Sequence, residues 1–218
     1  MSFLNDKTKK LHFFNKNFFF LATIIVVAVN LLLFFFLGTD FETSVGNGDV
    51  SWSSTLSFEN MLRLFLNSFS HINLQHVLLN MLCFFVVGVY LERKIGTVNL
   101  FFLVVVLACF TSTAVGANNV SFHWAGFSGV NYGLYSFVIV DFFFMFRKET
   151  RTKFNIISGI IMVALIYLAM CYNGGVNTFG FEFYPYDLMT NMGHYSSFLA
   201  GLIFTTCIKI VKIQAIKN

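Results

Sequence analysis

The chain has 218 residues, of which 57% are apolar and only 11% are charged, whereas an ordinary soluble domain has roughly a quarter charged residues. So few polar groups could not cover a water-exposed surface, which excludes a soluble domain and indicates a lipid-embedded one. The formal net charge of +4 is too small to indicate binding to nucleic acid, and we predict no such partner.

Six stretches are long and apolar enough to cross the hydrocarbon core of a bilayer, which takes about 17–25 residues. They cover residues 18–37, 74–91, 98–115, 128–146, 156–172 and 194–211. We therefore predict an all-α membrane protein with six transmembrane helices. The expected organisation is a short cytoplasmic segment over 1–17, the helical domain over 18–211, and a cytoplasmic tail over 212–218.

The basic residues are sorted along the chain in a way that predicts orientation. Of the 14 Lys and Arg residues, all except Arg63 fall on one side of a six-span arrangement. Because basic residues accumulate on the cytoplasmic side of membrane proteins, both termini are predicted to be cytoplasmic. The long segment 39–73 then lies outside, with an amphipathic stretch over 56–69 along the membrane surface.

Four polar residues occur at the outer ends of the predicted helices, where polar side chains are costly and often functional. His76 and Asn80 are four residues apart and share one face of the second helix. Ser128 is predicted to open the fourth helix and His194 the sixth. Because both of these helices run from outside to inside, their first residues are expected at the same depth.

Together these side chains could hydrolyse a peptide bond, which requires a nucleophile, a base and donors directed at the oxyanion. Ser128 could supply the hydroxyl and His194 the base. The Ser128 backbone N–H, at a helix N-terminus, and the His76 and Asn80 side chains could stabilise the oxyanion. The pattern therefore predicts a serine-hydrolase site without a metal or another cofactor.

Small residues at four-residue spacing allow close helix packing in lipid. Gly129 and Gly133 show this spacing in the fourth helix, and Ser197 and Gly201 show it in the sixth. We expect these two faces to pack on each other and to bring Ser128 and His194 together.

The ordered set of motifs resembles that of the rhomboid proteases. It consists of His76-x-x-x-Asn80, Gly88-x-x-x-Glu92-x-x-x-Gly96, Gly126-Phe127-Ser128-Gly129 followed by Tyr132, and Gly193-His194 seven residues before Gly201. The resemblance extends from about Arg63 to Gly201 and implies a rhomboid-type six-helix bundle.

The resemblance also implies particular roles. Ser128 would be the nucleophile, His194 the base, His76 and Asn80 oxyanion stabilisers, and Tyr132 a packing partner that orients the His194 ring. Arg63 matches the arginine of the family's Trp-Arg pair. The sequence departs from the pattern at two positions, because Leu62 replaces the tryptophan and Ser197 replaces a usual glycine.

Simpler interpretations exist for each residue taken alone. Serine is a common helix N-cap, and histidine and asparagine often bond neighbouring membrane helices. His71 is better explained by a loop hydrogen bond than by a metal shared with His76. Asp141 is better explained by a contact with a neighbouring helix or with Arg147 than by a proton relay.

Two functional classes other than a protease place different demands on the sequence. A six-helix transporter or channel would need polar residues continuing toward the inner leaflet, where Asp141 is the exception among apolar residues. A non-catalytic rhomboid relative that binds client helices would be expected to lack Ser128 or His194.

We therefore predict an intramembrane serine endopeptidase that cleaves transmembrane segments of other proteins near the extracytoplasmic face. Its partners would be these substrates and the lipid bilayer, and its location a bacterial inner membrane. The four cysteines, Cys83, Cys109, Cys171 and Cys207, lie in or beside apolar runs and are predicted to be packing residues. The sequence does not indicate an oligomeric state.

Overall fold

The computed structural model describes residues 20–46, 58–116, 125–145, 157, 159–164 and 188–217. Every regular element within these residues is an α-helix. In chain order they are α1 (Leu21–Gly46), α2 (Phe58–Asn67), α3 (Leu74–Ile95), α4 (Thr97–Gly116), α5 (Ser128–Met145) and α6 (Leu188–Lys217). The predicted all-α class is confirmed for this part of the chain.

Three of the described helices have the length and composition needed to cross a membrane, namely Leu21–Gly38, Leu74–Ile95 and Thr97–Ala114. The predicted fifth span, 156–172, lies largely outside the described residues, of which 157 and 159–164 are helical. The count of six spans and the orientation of the termini therefore stay predictions.

Local sequence signals explain where α3 begins and ends. The Asn73 side chain accepts a hydrogen bond from the His76 backbone N–H at 2.8 Å, which caps the first turn. At the other end, Gly96 has a φ of 85°, a conformation that favours glycine, and its N–H bonds the Glu92 carbonyl. Because α4 starts at the next residue, Gly96 makes the whole turn between two long helices.

A buried carboxylate joins α3 to the start of α1. Glu92 accepts hydrogen bonds from the backbone N–H groups of Ala22 and Thr23, both at 2.9 Å, and from the Thr23 hydroxyl at 2.7 Å. Although it lies near the end of α3 beside two basic residues, the Glu92 side chain is only 4% exposed. Its charge instead satisfies N–H groups that the first turn of a helix leaves unpaired.

The expected packing between α5 and α6 takes a more complex form in the structure. A methyl group at Gly201 of α6 would overlap the Gly133 carbonyl oxygen and the Ser136 hydroxyl of α5. The space beside Gly129 is instead filled by Thr111 of α4. The glycines of α5 therefore allow close approach of two helices, α6 and α4, rather than of α6 alone.

Thr111 of α4 also reaches α6. Its hydroxyl hydrogen-bonds the Ser197 hydroxyl, and both side chains are buried. Thr111 thus contacts α5 through Gly129 and α6 through Ser197. Three helices meet at this point, one turn or less from Ser128 and His194.

Asp141 of α5 joins that helix to the end of α3. Its carboxylate accepts a hydrogen bond from the Tyr90 hydroxyl at 3.0 Å and forms an ion pair with Lys94. This is the neighbouring-helix contact considered from the sequence; Arg147 lies outside the described residues.

Candidate active site

Ser128 is the first residue of α5 and is 5% exposed. The chain enters the helix through Gly126, whose φ of 121° favours glycine. The Gly126 N–H donates to the Asn67 carbonyl at 3.2 Å, which ties this entry to the end of α2. The start of α5, and with it Ser128, is therefore tied to the end of α2.

The ring of His194 lies directly beside Ser128. The distance between the His194 Nε2 atom and the Ser128 Oγ atom is 2.7 Å, and both side chains are buried. His194 does not open its helix as expected, because α6 begins at Leu188. An apolar window detects the lipid-compatible part of a helix, and residues 188–193 extend α6 beyond it.

Tyr132 is one turn along α5 from Ser128 and packs face to face on His194. The two ring centroids are 4.2 Å apart and the ring planes differ by 7°. Tyr132 is buried, and its ring packs against one face of the imidazole.

His76 and Asn80 of α3 face the chain just before Ser128. A Cβ atom added to Gly126 would lie 2.8 Å from His76 Nε2 and 3.6 Å from Asn80 Nδ2. Glycine is thus required at position 126 for space as well as for its backbone angle. The two side-chain nitrogens lie near the backbone that leads into Ser128.

Asn131 belongs to the same group, although the sequence analysis did not single it out. Its Nδ2 atom donates to the Asn80 carbonyl oxygen at 3.1 Å and to Asn80 Oδ1 at 3.2 Å. Both asparagines are fully buried. The sequence did contain one sign of its role. Asn131 is a polar residue in an apolar helix, three residues after Ser128, and a polar side chain without a hydrogen-bond partner is costly there.

His71 lies in the turn between α2 and α3, and its ring meets the His76 ring edge to face at 5.2 Å. The nearest polar partner of the ring is the Phe69 backbone in the same turn, in a contact whose geometry is poor for a hydrogen bond, so the expected loop hydrogen bond is present in a weak form. Burial, together with the charge of nearby His76, lowers the pKa of His71 to about 3, against a weaker opposing influence of the Phe69 backbone.

Aromatic rings support the segment that precedes the serine. The Phe127 ring contacts Phe69 at 5.6 Å and Phe84 at 5.1 Å, both edge to face. Phe127 is fully buried. The residue before Ser128 is therefore fixed between the turn after α2 and the middle of α3.

The remaining expected residues divide into two groups. Arg63 is half-buried in α2, and Leu62 beside it is exposed. Cys171 lies outside the described residues. In the part of the chain described, no group of three or more His, Cys, Asp and Glu side chains could hold a metal ion.

The arrangement has the parts needed for acyl transfer. A hydroxyl contacts an imidazole nitrogen, and the side chains of His76 and Asn80 lie near the same backbone. Burial strengthens each polar interaction by excluding water. Long apolar helices around a buried serine–histidine pair define a multi-pass membrane protein with a candidate hydrolase site.

The rhomboid domain family matches residues 59–210, which is 152 of the 218 residues. The chain therefore belongs to the rhomboid family. It is also 23% identical over 154 residues to the rhomboid protease GlpG of Photorhabdus laumondii subsp. laumondii. That match covers 71% of this chain and 50% of the relative, so the chain spans about half of the relative's length.

Proposed function

We propose that this chain is an intramembrane serine endopeptidase with Ser128 as nucleophile and His194 as general base. The observation that carries the proposal is the 2.7 Å contact between the Ser128 Oγ and His194 Nε2 atoms, both buried. A serine hydroxyl is a weak nucleophile unless an adjacent base accepts its proton. The family and the GlpG relative support this interpretation.

In the proposed reaction, His194 Nε2 takes the hydroxyl proton as Ser128 Oγ attacks the carbonyl carbon of the scissile peptide bond. The oxyanion is stabilised by the Ser128 backbone N–H and by the side chains of His76 and Asn80. The protonated imidazole then gives its proton to the leaving amine. Water, deprotonated by the same ring, hydrolyses the acyl-enzyme and releases the second product.

The substrates would be transmembrane segments of other proteins. Apolar side chains cover much of the described helix surface, with Phe36 81% exposed and Phe102 63% exposed. Such a surface suits lipid, and a peptide bond reaching Ser128 would come from a membrane-embedded partner. We propose six spans, cytoplasmic termini, a site near the extracytoplasmic face and a bacterial inner membrane location.

A fluorophosphonate probe tests the nucleophile directly. The full chain in detergent is expected to be labelled at Ser128, and Ser128→Ala and His194→Ala should abolish both labelling and cleavage of a transmembrane reporter. Thr205→Ala is the matched control, because it removes a buried hydroxyl of α6 that donates to the Gly201 carbonyl of its own helix. Cleavage that persists in Ser128→Ala would refute the assignment.

The other classes predict different results in the same experiment. A non-catalytic client-binding relative would leave Ser128 unlabelled. The transporter alternative would need the polar path of His76, Asn80 and His194 to continue toward the inner leaflet. Asp141, the polar exception there, has its carboxylate engaged by Lys94 and Tyr90. No observation in the described residues favours a conducting path over a hydrolase site.

A further inference from the structure

We propose that Asn131 is a positioning residue that orients the Asn80 side chain so that its N–H groups face the oxyanion. The inference rests on the proposed function and adds to it a residue that neither the sequence motifs nor the family match assign. It follows from four features of the described residues, namely the direction of two hydrogen bonds, the burial of both amides, the place of Asn131 on α5, and the surroundings of Asn80.

The two ends of an asparagine side chain have opposite hydrogen-bonding character. The oxygen only accepts, and the nitrogen only donates. Asn131 Nδ2 donates both to the Asn80 backbone oxygen at 3.1 Å and to the Asn80 Oδ1 atom at 3.2 Å. The Asn131 Nδ2 atom thus faces two acceptor oxygens, which holds its own amide in one orientation.

This contact also determines the orientation of Asn80. If the Asn80 amide were turned over, its Nδ2 donors would face the Nδ2 donors of Asn131, which is repulsive. With Oδ1 bonded to Asn131, the Asn80 Nδ2 atom must point away from Asn131. The Asn80 Nδ2 atom is buried and has no hydrogen-bond partner among the described residues.

The Asn80 Nδ2 atom lies beside the backbone that leads to the nucleophile. A Cβ atom on Gly126 would lie 3.6 Å from Asn80 Nδ2. A buried donor without a partner costs free energy in the resting protein, and this cost is offset if an anion forms beside it during the reaction. Preorganised donors of this kind stabilise an oxyanion without further rearrangement.

Asn131 is suited to this task because it is on the same helix as Ser128, one turn further along. A movement of α3 relative to α5 would displace the Asn80 amide from Ser128, and the Asn131 contact opposes that movement. A purely structural amide could bond any neighbouring carbonyl, as Asn30 of α1 does with the Val26 carbonyl of its own helix.

The test uses the full chain and a double-mutant cycle. Asn131→Leu keeps the branched shape and the number of side-chain heavy atoms but has no donors, and Asn131→Ala removes the amide altogether. We expect kcat for a transmembrane reporter to fall at least about tenfold in either variant, approaching the loss of about 10²–10³ seen when an oxyanion donor is removed. KM should change less than about twofold, because substrate binding does not use the oxyanion donors.

The decisive measurement is made in an Asn80→Ala background. If Asn131 acts through Asn80, adding Asn131→Leu to Asn80→Ala leaves kcat within about twofold of the Asn80→Ala value. If it only stabilises the bundle, the two losses multiply, and the proposal is overturned. Asn30→Leu, which removes an equally buried amide distant in sequence from the site, is expected to retain wild-type kcat.

The outcomes separate this inference from the proposed function. Wild-type labelling at Ser128 by a fluorophosphonate probe, with Asn131→Leu and Asn131→Ala both as active as wild type, overturns the role of Asn131 alone. Absence of wild-type labelling and cleavage overturns both proposals. Should Asn131→Leu fail to fold in detergent, Asn131→Ala carries the same comparison.

Discussion

The Tyr132 ring lies parallel to the His194 ring, with centroids 4.2 Å apart and an angle of 7° between the planes. Stacked aromatic pairs contribute about 0.5–1.5 kcal/mol beyond the area they bury. The stack therefore holds the imidazole in one plane, and in this plane Nε2 meets the Ser128 hydroxyl.

The stack leads to a prediction about Tyr132. Tyr132→Phe preserves the ring and is expected to keep kcat for a transmembrane reporter within about threefold of wild type. Tyr132→Leu removes it and should lower kcat about five- to tenfold, the equivalent of about 1 kcal/mol. Equal activity of the Leu and Phe variants would show that stacking does not position His194.

Gly201 is predicted to control the distance between α5 and α6. A side chain there would overlap the Gly133 carbonyl and the Ser136 hydroxyl, so Gly201→Leu should move His194 away from Ser128. We expect fluorophosphonate labelling to fall at least about tenfold while the protein remains helical by circular dichroism, because overpacking displaces backbone. Ile203→Phe, which adds bulk at an exposed position of the same helix, is the control and should label normally.

The hydrogen bond between Thr111 and Ser197 is predicted to stabilise the contact of α4 with α6. Such bonds contribute about 0.6 kcal/mol on average in membrane proteins and up to about 1.7. Thr111→Val, Ser197→Ala and the double variant form a cycle whose coupling free energy, measured by unfolding in mixed micelles, should fall in that range. A coupling near zero would mean that the two hydroxyls stabilise the fold independently.

The lowered pKa of buried His71 predicts that the protein loses stability at acidic pH. Its pKa is about 3 in the folded protein, and the ordinary value is 6.5, so the unfolded chain binds the proton more readily. Stability is therefore lost as pH falls from 6.5 toward 3, by at most about 1.4 kcal/mol per pH unit from this residue. His71→Gln should have a shallower pH dependence in this interval, measured by thermal unfolding in detergent. Parallel curves for the two proteins would contradict the assignment.

The sequence predicted several features because they depend on local or chain-wide chemistry. Low charge and long apolar runs require helices in lipid, since a helix satisfies its own backbone hydrogen bonds. The start of α3 at Leu74 agrees with the apolar stretch predicted over 74–91, and Ser128 opens α5 as expected. The start of α6 was predicted too late, at residue 194, because the helix begins before its apolar part and extends back to Leu188.

Contacts between helices distant in sequence could not be predicted in the same way. Asn131 and Asn80 are 51 residues apart, and Glu92 reaches an amide of α1 that is 70 residues away. Each of these polar side chains has many chemically acceptable partners, and the choice depends on how several helices cross.

The sequence by itself determined the helical class, the lipid surroundings and the set of groups available for chemistry, because composition and periodicity act within single segments. The tertiary structure decided which of those groups meet. It brought the His194 ring onto Tyr132 and Ser128, and it turned the Asn80 amide toward Gly126 through Asn131. These contacts follow from close packing at Gly201 and Gly129, where the absence of a side chain lets backbones approach and the neighbours alone determine what fills the space.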